Sequence, residues 1–227
     1  MLSGRFEKAV SYAVEAHAAQ VRKGSGVPYI AHLLGVAALV LEDGGGEDEA
    51  IAALLHDAVE DQGGPARLTQ IRDLFGAPVA DIVEGCSDSI LEVGATKADW
   101  WERKCAHLDH LAHADGDMKE PLLRVSMADK LSNLRATVRD AGLRGDGFWK
   151  VFKQGAASQL WYYGRMNDIF RARCPQSTML PELEALLAQL ADVVPEGDRA
   201  LAERYRAERC PPAATLGHGG EQRGQGR

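Results

Sequence analysis

Apolar residues in this chain recur mostly three and four positions apart, while the alternation that marks β-strands is nearly absent. Such spacing puts apolar side chains on one face of an α-helix. The clearest case is a helix predicted over residues 5–20. One side of this helix carries Phe6, Val10, Ala13, Val14 and His17. The pattern therefore predicts an all-α fold, in which helices bury their apolar faces against one another.

The other helices follow from where this spacing begins and stops. A second helix is predicted after Pro28, ending at the glycine run 44–46. A third, AIAALLHDAVED over residues 50–61, is apolar on nearly all sides until its last turn and should be the central, buried helix. Further helices are predicted over 69–75, 78–86, 98–113, 120–140, 148–173, 181–193 and 197–208, with a loop over 87–96. We expect a bundle of about eight to ten helices.

Length and composition limit the class of protein. The 227 residues suit one domain, or one domain with an appendage. We expect residues 1–195 to form a domain with a C-terminal helical extension, 196–210 a weak terminal helix, and 211–227 a disordered tail of Pro, Gly and polar residues. The formal net charge of -7 argues against general binding of a nucleic-acid backbone.

Cysteine usage and the N-terminus indicate a cytoplasmic protein. The cysteines are Cys86, Cys105, Cys174 and Cys210. They lie far apart and form no C-x-x-C pair, so we expect reduced thiols. Glu7 and Lys8 stand where a signal peptide needs an apolar run. No stretch approaches the roughly 18 apolar residues of a membrane span, so we expect no membrane contact.

Four ionisable side chains stand in apolar helical segments. They are His32 in IAHLLGV, His56 and Asp57 in ALLHDAV, and Asp129 in VSMADKL. Any one alone is more often a satisfied core histidine or a helix-face carboxylate, and an HD dipeptide is common by chance. Burying all four is costly unless they are paired or bind a cation. Two imidazoles and two carboxylates offer mixed ligands to one divalent ion and leave positions for water, so we predict a metal site.

Two acidic residues, Glu60 and Asp61, follow the HD pair. In a continuous helix they lie four residues after His56 and Asp57 and face the same region. They could be an ordinary surface pair, but acids near a helix C-terminus are disfavoured by its dipole. We therefore predict that they orient and deprotonate a water molecule, or pass a proton to the leaving group.

The order H, HD, D on helices is that of the HD phosphohydrolase superfamily, and longer motifs resemble the hydrolase domain of the RelA/SpoT family. The motifs are RKGSGVPYIAHLLGVA, ALLHDAVED, LFGAPVADIVEGCSD and RVSMADKLSNLRA. They follow one another in one unbroken order over roughly residues 6–170. HDAVED and ADKLSN are the most specific, and the chain is most similar to the free-standing small alarmone hydrolases.

This resemblance implies a helical hydrolase that uses one manganese ion to remove the 3′-diphosphate of guanosine tetra- or pentaphosphate, giving GDP or GTP and pyrophosphate. By motif match it implies metal ligands at His32, His56, Asp57 and Asp129, and catalytic acids at Glu60 and Asp61. It implies nucleotide contacts by Arg22, Lys23, Ser25 and Asn133. The basic loop is one residue longer than the commonest R-K-S-G-x-P-Y form of the family.

Other polar residues receive weaker interpretations. Cations available to neutralise phosphates are Lys23, Lys97, Arg103, Lys104 and Lys130. Of these, Lys97, Arg103 and Lys104 are equally typical of a solvated helix face. Tyr163 could reach a nucleotide, but helix packing is the commoner role for such an aromatic residue. His107, His110 and His113 recur every three residues on one helix, and we assign no site to them.

Two alternatives stay open. The chain could be a phosphohydrolase for another nucleotide, such as a related purine alarmone or the 2′-phosphate of NADPH, because the metal and acids act on phosphorus while loop residues select the base. It could also be a non-catalytic nucleotide-binding regulator, although the complete ligand and acid sets speak against a degenerate site. We expect a small-molecule nucleotide as partner and no nucleic acid. The sequence leaves the oligomeric state open.

Overall fold

The fold was analysed in a computed structural model that describes residues 1–91 and 94–210, apart from the side chains of Asp61 and Gln62. Its helices are α1 (Gly4–Ala16), α2 (Ile30–Glu42), α3 (Glu47–Leu55), α4 (Ala58–Gln62), α5 (Gly64–Phe75), α6 (Ala77–Cys86), α7 (Trp100–His113), α8 (Lys119–Arg144), a 3-10 helix (Gly145–Val151), α9 (Gly155–Arg173), α10 (Leu180–Val193) and α11 (Glu196–Glu208). An isolated antiparallel bridge joins Val21 to Pro28. The described residues contain no strand, and the predicted all-α fold is confirmed.

Helix α3 lies at the centre of the bundle. It packs against α1, α2, α6 and α8, and residues 50–55 are all buried. This confirms the prediction of a central, buried third helix. Because α2 and α8 also pack against each other, three helices that carry predicted metal ligands meet at one place. His32 comes from α2, His56 follows α3, and Asp129 comes from α8.

The predicted third helix is nevertheless divided. Its helical hydrogen bonding breaks at His56 and Asp57, between α3 and α4, so the prediction of one helix over residues 50–61 is wrong. The His56 ring contributes to the break, because its Nδ1 donates to the Ala53 carbonyl at 2.8 Å and competes for a backbone acceptor. The backbone at His56 and Asp57 nevertheless stays in the right-handed helical region, and His56 Nε2 lies 3.0 Å from Asp57 Oδ2.

Several other boundaries differ from the predictions. Helix α1 ends four residues early, and α5 starts at Gly64, after Gly63 adopts φ 141°. Helix α8 runs to Arg144, where Gly145 with φ 61° ends it. The predicted helix over 148–173 is a 3-10 helix followed by α9, which begins at Gly155 with φ 73°. At α5, α8 and α9 a glycine accommodates a backbone conformation that other residues disfavour, whereas α1 ends at His17 with φ -109°.

Two of the four cysteines form a disulfide, which corrects the expectation of unpaired thiols. Cys105 on α7 pairs with Cys210, just after α11, with Cα atoms 5.5 Å apart. The two residues are 105 positions apart in sequence. The packing of α7 and α11 against α9 brings them together, and no spacing of the cysteines along the chain predicts this pairing. Cys86 and Cys174 are free thiols.

The structure does not test two of the expectations drawn from the sequence. The tail predicted over 211–227 lies outside the described residues, and the domain boundaries stay predictions. Within the described part of the chain, no helix has both the length and the apolar character needed to span a bilayer.

Candidate active site

His32 stands in the first turn of α2 with its ring buried. Its Nδ1 lies 2.9 Å from the Ser132 hydroxyl of α8. Its Nε2 points to the carboxylates, 3.2 Å from Asp129 Oδ1 and 3.7 Å from Asp57 Oδ2. With Nδ1 donating to Ser132, Nε2 is free to coordinate a cation.

His56 has the same arrangement with a backbone partner. A carbonyl oxygen only accepts, so Nδ1 must donate its hydrogen to the Ala53 carbonyl. Nε2 then faces Asp57 Oδ2 at 3.0 Å and Asp129 Oδ1 at 3.5 Å. Two buried imidazoles are thus held in the tautomer that presents Nε2 to the same pair of carboxylates.

The two carboxylates are oriented by neighbouring donors. The Tyr29 hydroxyl donates to Asp57 Oδ2 at 2.5 Å. Asp129 Oδ1 accepts from the Asn133 amide and Oδ2 from the Lys130 ammonium, both at 2.5 Å. These contacts fix both side chains in place.

Electrostatics favour ionised carboxylates at this point. Burial alone would raise the pKa of Asp57, but His56 and His32 outweigh it and hold the pKa well below its usual range. Burial likewise opposes ionisation of Asp129, yet Lys130 and the two histidines keep its pKa well below the usual value. Both side chains therefore present anionic oxygens at neutral pH.

These residues fit a metal ion better than a set of ordinary hydrogen bonds. Ligand atoms of His32, His56 and Asp57 all lie within 4.8 Å of one another. Among the described residues, neither histidine Nε2 has a hydrogen-bond partner of acceptable geometry, although both are buried close to carboxylate oxygens. Nitrogen and oxygen atoms that surround a common point without bonding to each other are what a cation requires.

A cavity of about 440 Å³ opens beside this cluster. Arg22 and Lys23, from the loop between α1 and α2, line it. The Arg22 guanidinium donates to Asn133 Oδ1 at 2.9 Å and lies over the Tyr29 ring, 6.0 Å from its centroid. One chain of contacts therefore joins the basic loop, Asn133 and Asp129.

One end of the cavity is basic. Lys130 and Lys104 lie 5.8 and 4.8 Å from the centroid of the Tyr162 ring. Lys104 also donates to the buried Asp88 carboxylate at 2.6 Å. His107 lines the same end, where burial and then the charges of Lys130 and Lys104 lower its pKa to about 3. Its imidazole is therefore neutral at pH 7.

Of the two predicted acids, the structure describes the side chain of Glu60 but not that of Asp61. Glu60 lines the cavity and accepts from Lys97 Nζ at 2.8 Å. Burial, and then the nearby Asp88 carboxylate, raise the pKa of Glu60 above its ordinary value. The side chain of Asp61 lies outside the described residues. The helix break means that the expected spacing of four from the HD pair within one helix does not apply.

The structure brings most, but not all, of the predicted residues to the cavity. Those that line it are Arg22, Lys23, Asp57, Glu60, Asp129, Lys130 and Asn133. The two histidines of the cluster are buried next to these carboxylates. Ser25 is not part of the lining, and its hydroxyl accepts weakly from the Val27 amide at 3.5 Å. Of the residues given weaker interpretations, Lys104, His107 and Tyr163 line the cavity, whereas Lys97 reaches it through Glu60 and Arg103 pairs with Asp88.

Sequence reasoning missed several residues that this geometry makes prominent. They are Tyr29, Asp88, His107, Ser132 and Asp140. A signal existed for most of them. Tyr29, Asp88 and Ser132 each stand within one of the quoted motifs, and Asp140 repeats the helical spacing of Asp129 and Asn133 on α8. His107 is one of three regularly spaced histidines to which the sequence assigns no site, because the residues that surround it come from distant segments.

Both a family model and several named relatives match this chain. A family model described as "HD domain" matches residues 9–144. The chain is 38% identical over 129 residues to the guanosine-3′,5′-bis(diphosphate) 3′-pyrophosphohydrolase MESH1 of Danio rerio. It is 32% identical over 133 residues to the bifunctional (p)ppGpp synthase/hydrolase SpoT of Escherichia coli K12. These matches cover 56% and 58% of this chain, but 65% and 18% of the relatives. The matched segment is thus just under two thirds of the shorter relative.

Solved structures share the fold. A metazoan ortholog of SpoT, described as hydrolysing ppGpp, superposes with a TM-score of 0.63 at 24% identity, covering 83% of this chain and 97% of that one. A Listeria monocytogenes EGD-e protein superposes with a TM-score of 0.57 at 27% identity, covering 69% and 96%. At 24% identity, the likeness to the metazoan protein shows a shared fold and no more.

Proposed function

Since this chain belongs to the HD-domain family, we propose that it is a metal-dependent phosphohydrolase that removes the 3′-diphosphate of guanosine tetra- or pentaphosphate and releases GDP or GTP and pyrophosphate. One observation carries the proposal. Two buried histidine nitrogens without hydrogen-bond partners face two anionic carboxylates at the edge of a basic cavity. The names of the relatives support the choice of substrate.

The proposed metal ligands are His32, His56, Asp57 and Asp129. Mixed imidazole and carboxylate ligands suit a divalent ion between the hard and borderline classes, and the resemblance to the RelA/SpoT hydrolases favours manganese. When bound, such an ion polarises a phosphoryl oxygen and lowers the pKa of a water molecule. We propose one ion per site.

The residues around the cluster supply the rest of the chemistry. Water attacks the 3′-linked phosphorus, the bond from phosphorus to the sugar 3′ oxygen breaks, and the nucleoside oxygen leaves with a proton. Glu60, with a raised pKa and its carboxylate at the cavity, is suited to accept a proton from the attacking water. Asp61 keeps the role implied by the resemblance, as a second acid that returns a proton to the leaving oxygen.

Binding of the nucleotide falls to the basic residues. Lys130 carries a positive charge at the cluster, because Asp129 raises its pKa against the opposing effect of burial. We propose that Lys130, Lys104 and Lys23 neutralise phosphates, while Arg22 stacks on the base. Asn133 holds Arg22 in place by its hydrogen bond. Ser25 stays a predicted substrate contact, although its side chain does not line the cavity.

The test is a panel of phosphorylated nucleotides, incubated with purified protein with and without manganese and resolved by chromatography. We expect guanosine tetraphosphate to be cleaved only with metal, and His56→Ala and Asp57→Ala to lose both bound metal and activity. Phosphate release from NADPH, with guanosine tetraphosphate untouched, would replace this function by the alternative phosphohydrolase. Binding without cleavage of any nucleotide would instead indicate the regulator.

Cytoplasmic localisation is also proposed. Glutathione and thioredoxin keep cytosolic thiols reduced, so Cys105 and Cys210 would be a dithiol there except under oxidising conditions. Counting the thiols that react in freshly lysed cells tests this: four indicate the reduced form, and two indicate the disulfide.

A further inference from the structure

The end of the cavity away from Asp129 is lined by the later turns of α8 and by the 3-10 helix. The α8 residues that line the cavity are Asp129, Lys130, Asn133, Ala136, Thr137 and Asp140. Asp140 lies three turns beyond Asp129, roughly 16 Å along the axis. This span suits a nucleoside whose 3′ phosphate lies at the metal cluster and whose base edge reaches Asp140.

The walls of this end suit a flat base. Phe148 and Phe152, with ring centroids 5.5 Å apart and planes at 80°, line it on the side of the 3-10 helix. Arg22 approaches from the basic loop. The loop itself is fixed here, because Arg144 at the end of α8 donates to the Gly24 carbonyl. Aromatic and guanidinium groups hold a purine by stacking, without regard to the atoms at its edge.

Asp140 is the charged acceptor at this end. The residue is only 8% exposed, yet it lines the cavity. Arg139 donates to Oδ1 at 2.9 Å from a side chain that is 60% exposed. No residue that the structure describes donates to Oδ2. Asp140 therefore offers the cavity at least one carboxylate oxygen that needs a donor.

We propose that Asp140 selects guanine as the base of the substrate, an inference that rests on the proposed function. Guanine carries two adjacent donors at one edge, the N1 hydrogen and the C2 amino group, which pair with the two oxygens of a carboxylate. Adenine presents a bare N1 acceptor at the same edge, and two acceptors repel. A buried group that hydrogen-bonds its ligand rejects analogues without the matching donor more strongly than an apolar pocket does. Asp140 is thus a specificity residue remote from the reacting phosphorus.

The test compares guanosine and adenosine 3′,5′-bis(diphosphates) as substrates, and GDP, ADP and xanthosine diphosphate as ligands by calorimetry. We expect Asp140→Ala to lower kcat/KM for the guanosine compound about 10- to 100-fold, mainly through KM, and to leave the adenosine compound nearly unchanged. Xanthine has a carbonyl where guanine has the C2 amino group. Asp140→Asn, whose amide can donate to that carbonyl, should bind xanthosine diphosphate better than the wild type does.

Arg139→Ala is the matched control, because it removes the surface ion pair and keeps the carboxylate, and it should leave base preference unchanged. Equal losses for both purines in Asp140→Ala, or no loss, would overturn the inference while hydrolysis by the wild type upheld the proposed function. If the wild type cleaves neither compound, the proposed function fails. The preference of the wild type and Asp140→Asn for GDP or xanthosine diphosphate then still decides the role of Asp140.

Discussion

The hydroxyl of Ser132 is the residue-scale feature that most favours the proposed metal site over a chance cluster of ionisable side chains. It holds the Nδ1 side of His32, just as the Ala53 carbonyl holds that of His56. A partner behind a metal-binding histidine fixes the tautomer and the ring orientation, and its loss typically lowers metal affinity about 10- to 100-fold.

We therefore expect Ser132→Ala to bind manganese about 10- to 100-fold more weakly than the wild type. Because the hydroxyl is not a ligand, activity should return at high metal concentration. Isothermal titration with the metal measures the affinity directly. Ser11→Ala, an exposed serine on α1, is the control. An unchanged manganese affinity in Ser132→Ala would show that His32 does not need this partner.

The ion pair between Lys97 and Glu60 leads to a prediction about how activity depends on pH. Burial and Asp88 raise the pKa of Glu60, while Lys97 lowers it. If Glu60 must be ionised, activity falls as pH drops through this raised pKa. Removing the lysine raises the pKa further, so Lys97→Ala should move the acidic limb of kcat to higher pH. The measurement is a pH–rate profile at saturating metal, with Lys8→Ala of α1 as control. An acidic limb that stays in place would exclude Glu60 as the ionising group.

Individual site residues could be predicted from the sequence where histidines and aspartates stood in apolar helical segments. His32, His56, Asp57 and Asp129 could be chosen because each is costly to bury alone. The structure brings them together, as that reasoning expected. Ser132 and the Ala53 carbonyl, which orient the two histidines, could not be predicted in this way. A serine or a backbone carbonyl costs less to bury than a charged group, and such groups occur throughout the chain.

At the scale of elements, the loop after α6 is tied to α7 by one buried carboxylate. Asp88 accepts from Arg103 Nη1 at 2.5 Å and from Lys104 Nζ at 2.6 Å, and its side chain is only 5% exposed. Burial opposes ionisation of Asp88, but Lys104 and then Arg103 lower its pKa well below the usual range. This stabilisation is present at neutral pH and above the unfolded-state pKa, and it is lost as pH falls through the folded-state pKa.

We expect Asp88→Asn to lower the free energy of unfolding by about 3–5 kcal/mol, since it leaves two largely buried cations without a counter-charge. Urea denaturation measures this. Asp81→Asn is the matched control, because its pair with Arg72 is more than 40% exposed and should contribute under about 1 kcal/mol. Equal stability of the two variants would show that solvent screens the Asp88 cluster.

Most helices were predictable because their apolar faces repeat at the helical period. The errors lie where local contacts override that period. The HD pair interrupts an apolar run that had no proline or glycine, because a histidine side chain takes a backbone acceptor. The aromatic segment before α9 kept a helical pattern but formed a 3-10 helix between two glycines with positive φ.

At the scale of the whole molecule, the disulfide closes the C-terminal helices over the wall of the cavity. Cys105 follows Lys104, which lines the cavity, and Cys210 lies beyond α11, where its carbonyl accepts from Arg165 at 2.8 Å. Trp101 of α7 packs against Tyr205 of α11, with ring centroids 4.8 Å apart. The cross-link therefore reinforces an aromatic contact between α7 and α11.

Closing a loop of this length stabilises a fold by about 4–5 kcal/mol in the chain-entropy description. We expect Cys210→Ser to lower the free energy of unfolding by about that amount under oxidising conditions, and to have little effect with reductant present. Thermal melting of both forms, with Cys174→Ser as a free-thiol control, makes the comparison. A Cys210→Ser variant as stable as the wild type without reductant would contradict the cross-link.

The arrangement of the whole cavity indicates where the proposed reaction takes place. One cavity joins the cluster of His32, His56, Asp57 and Asp129 to basic and aromatic side chains, and the proposed reaction therefore cleaves one bond beside that cluster. The direct measurement is phosphorus NMR of guanosine tetraphosphate during turnover with manganese. We expect GDP and intact pyrophosphate in equal amounts from the first turnover, with no reaction in chelator. Orthophosphate released before pyrophosphate, or turnover that persists in chelator, would contradict it.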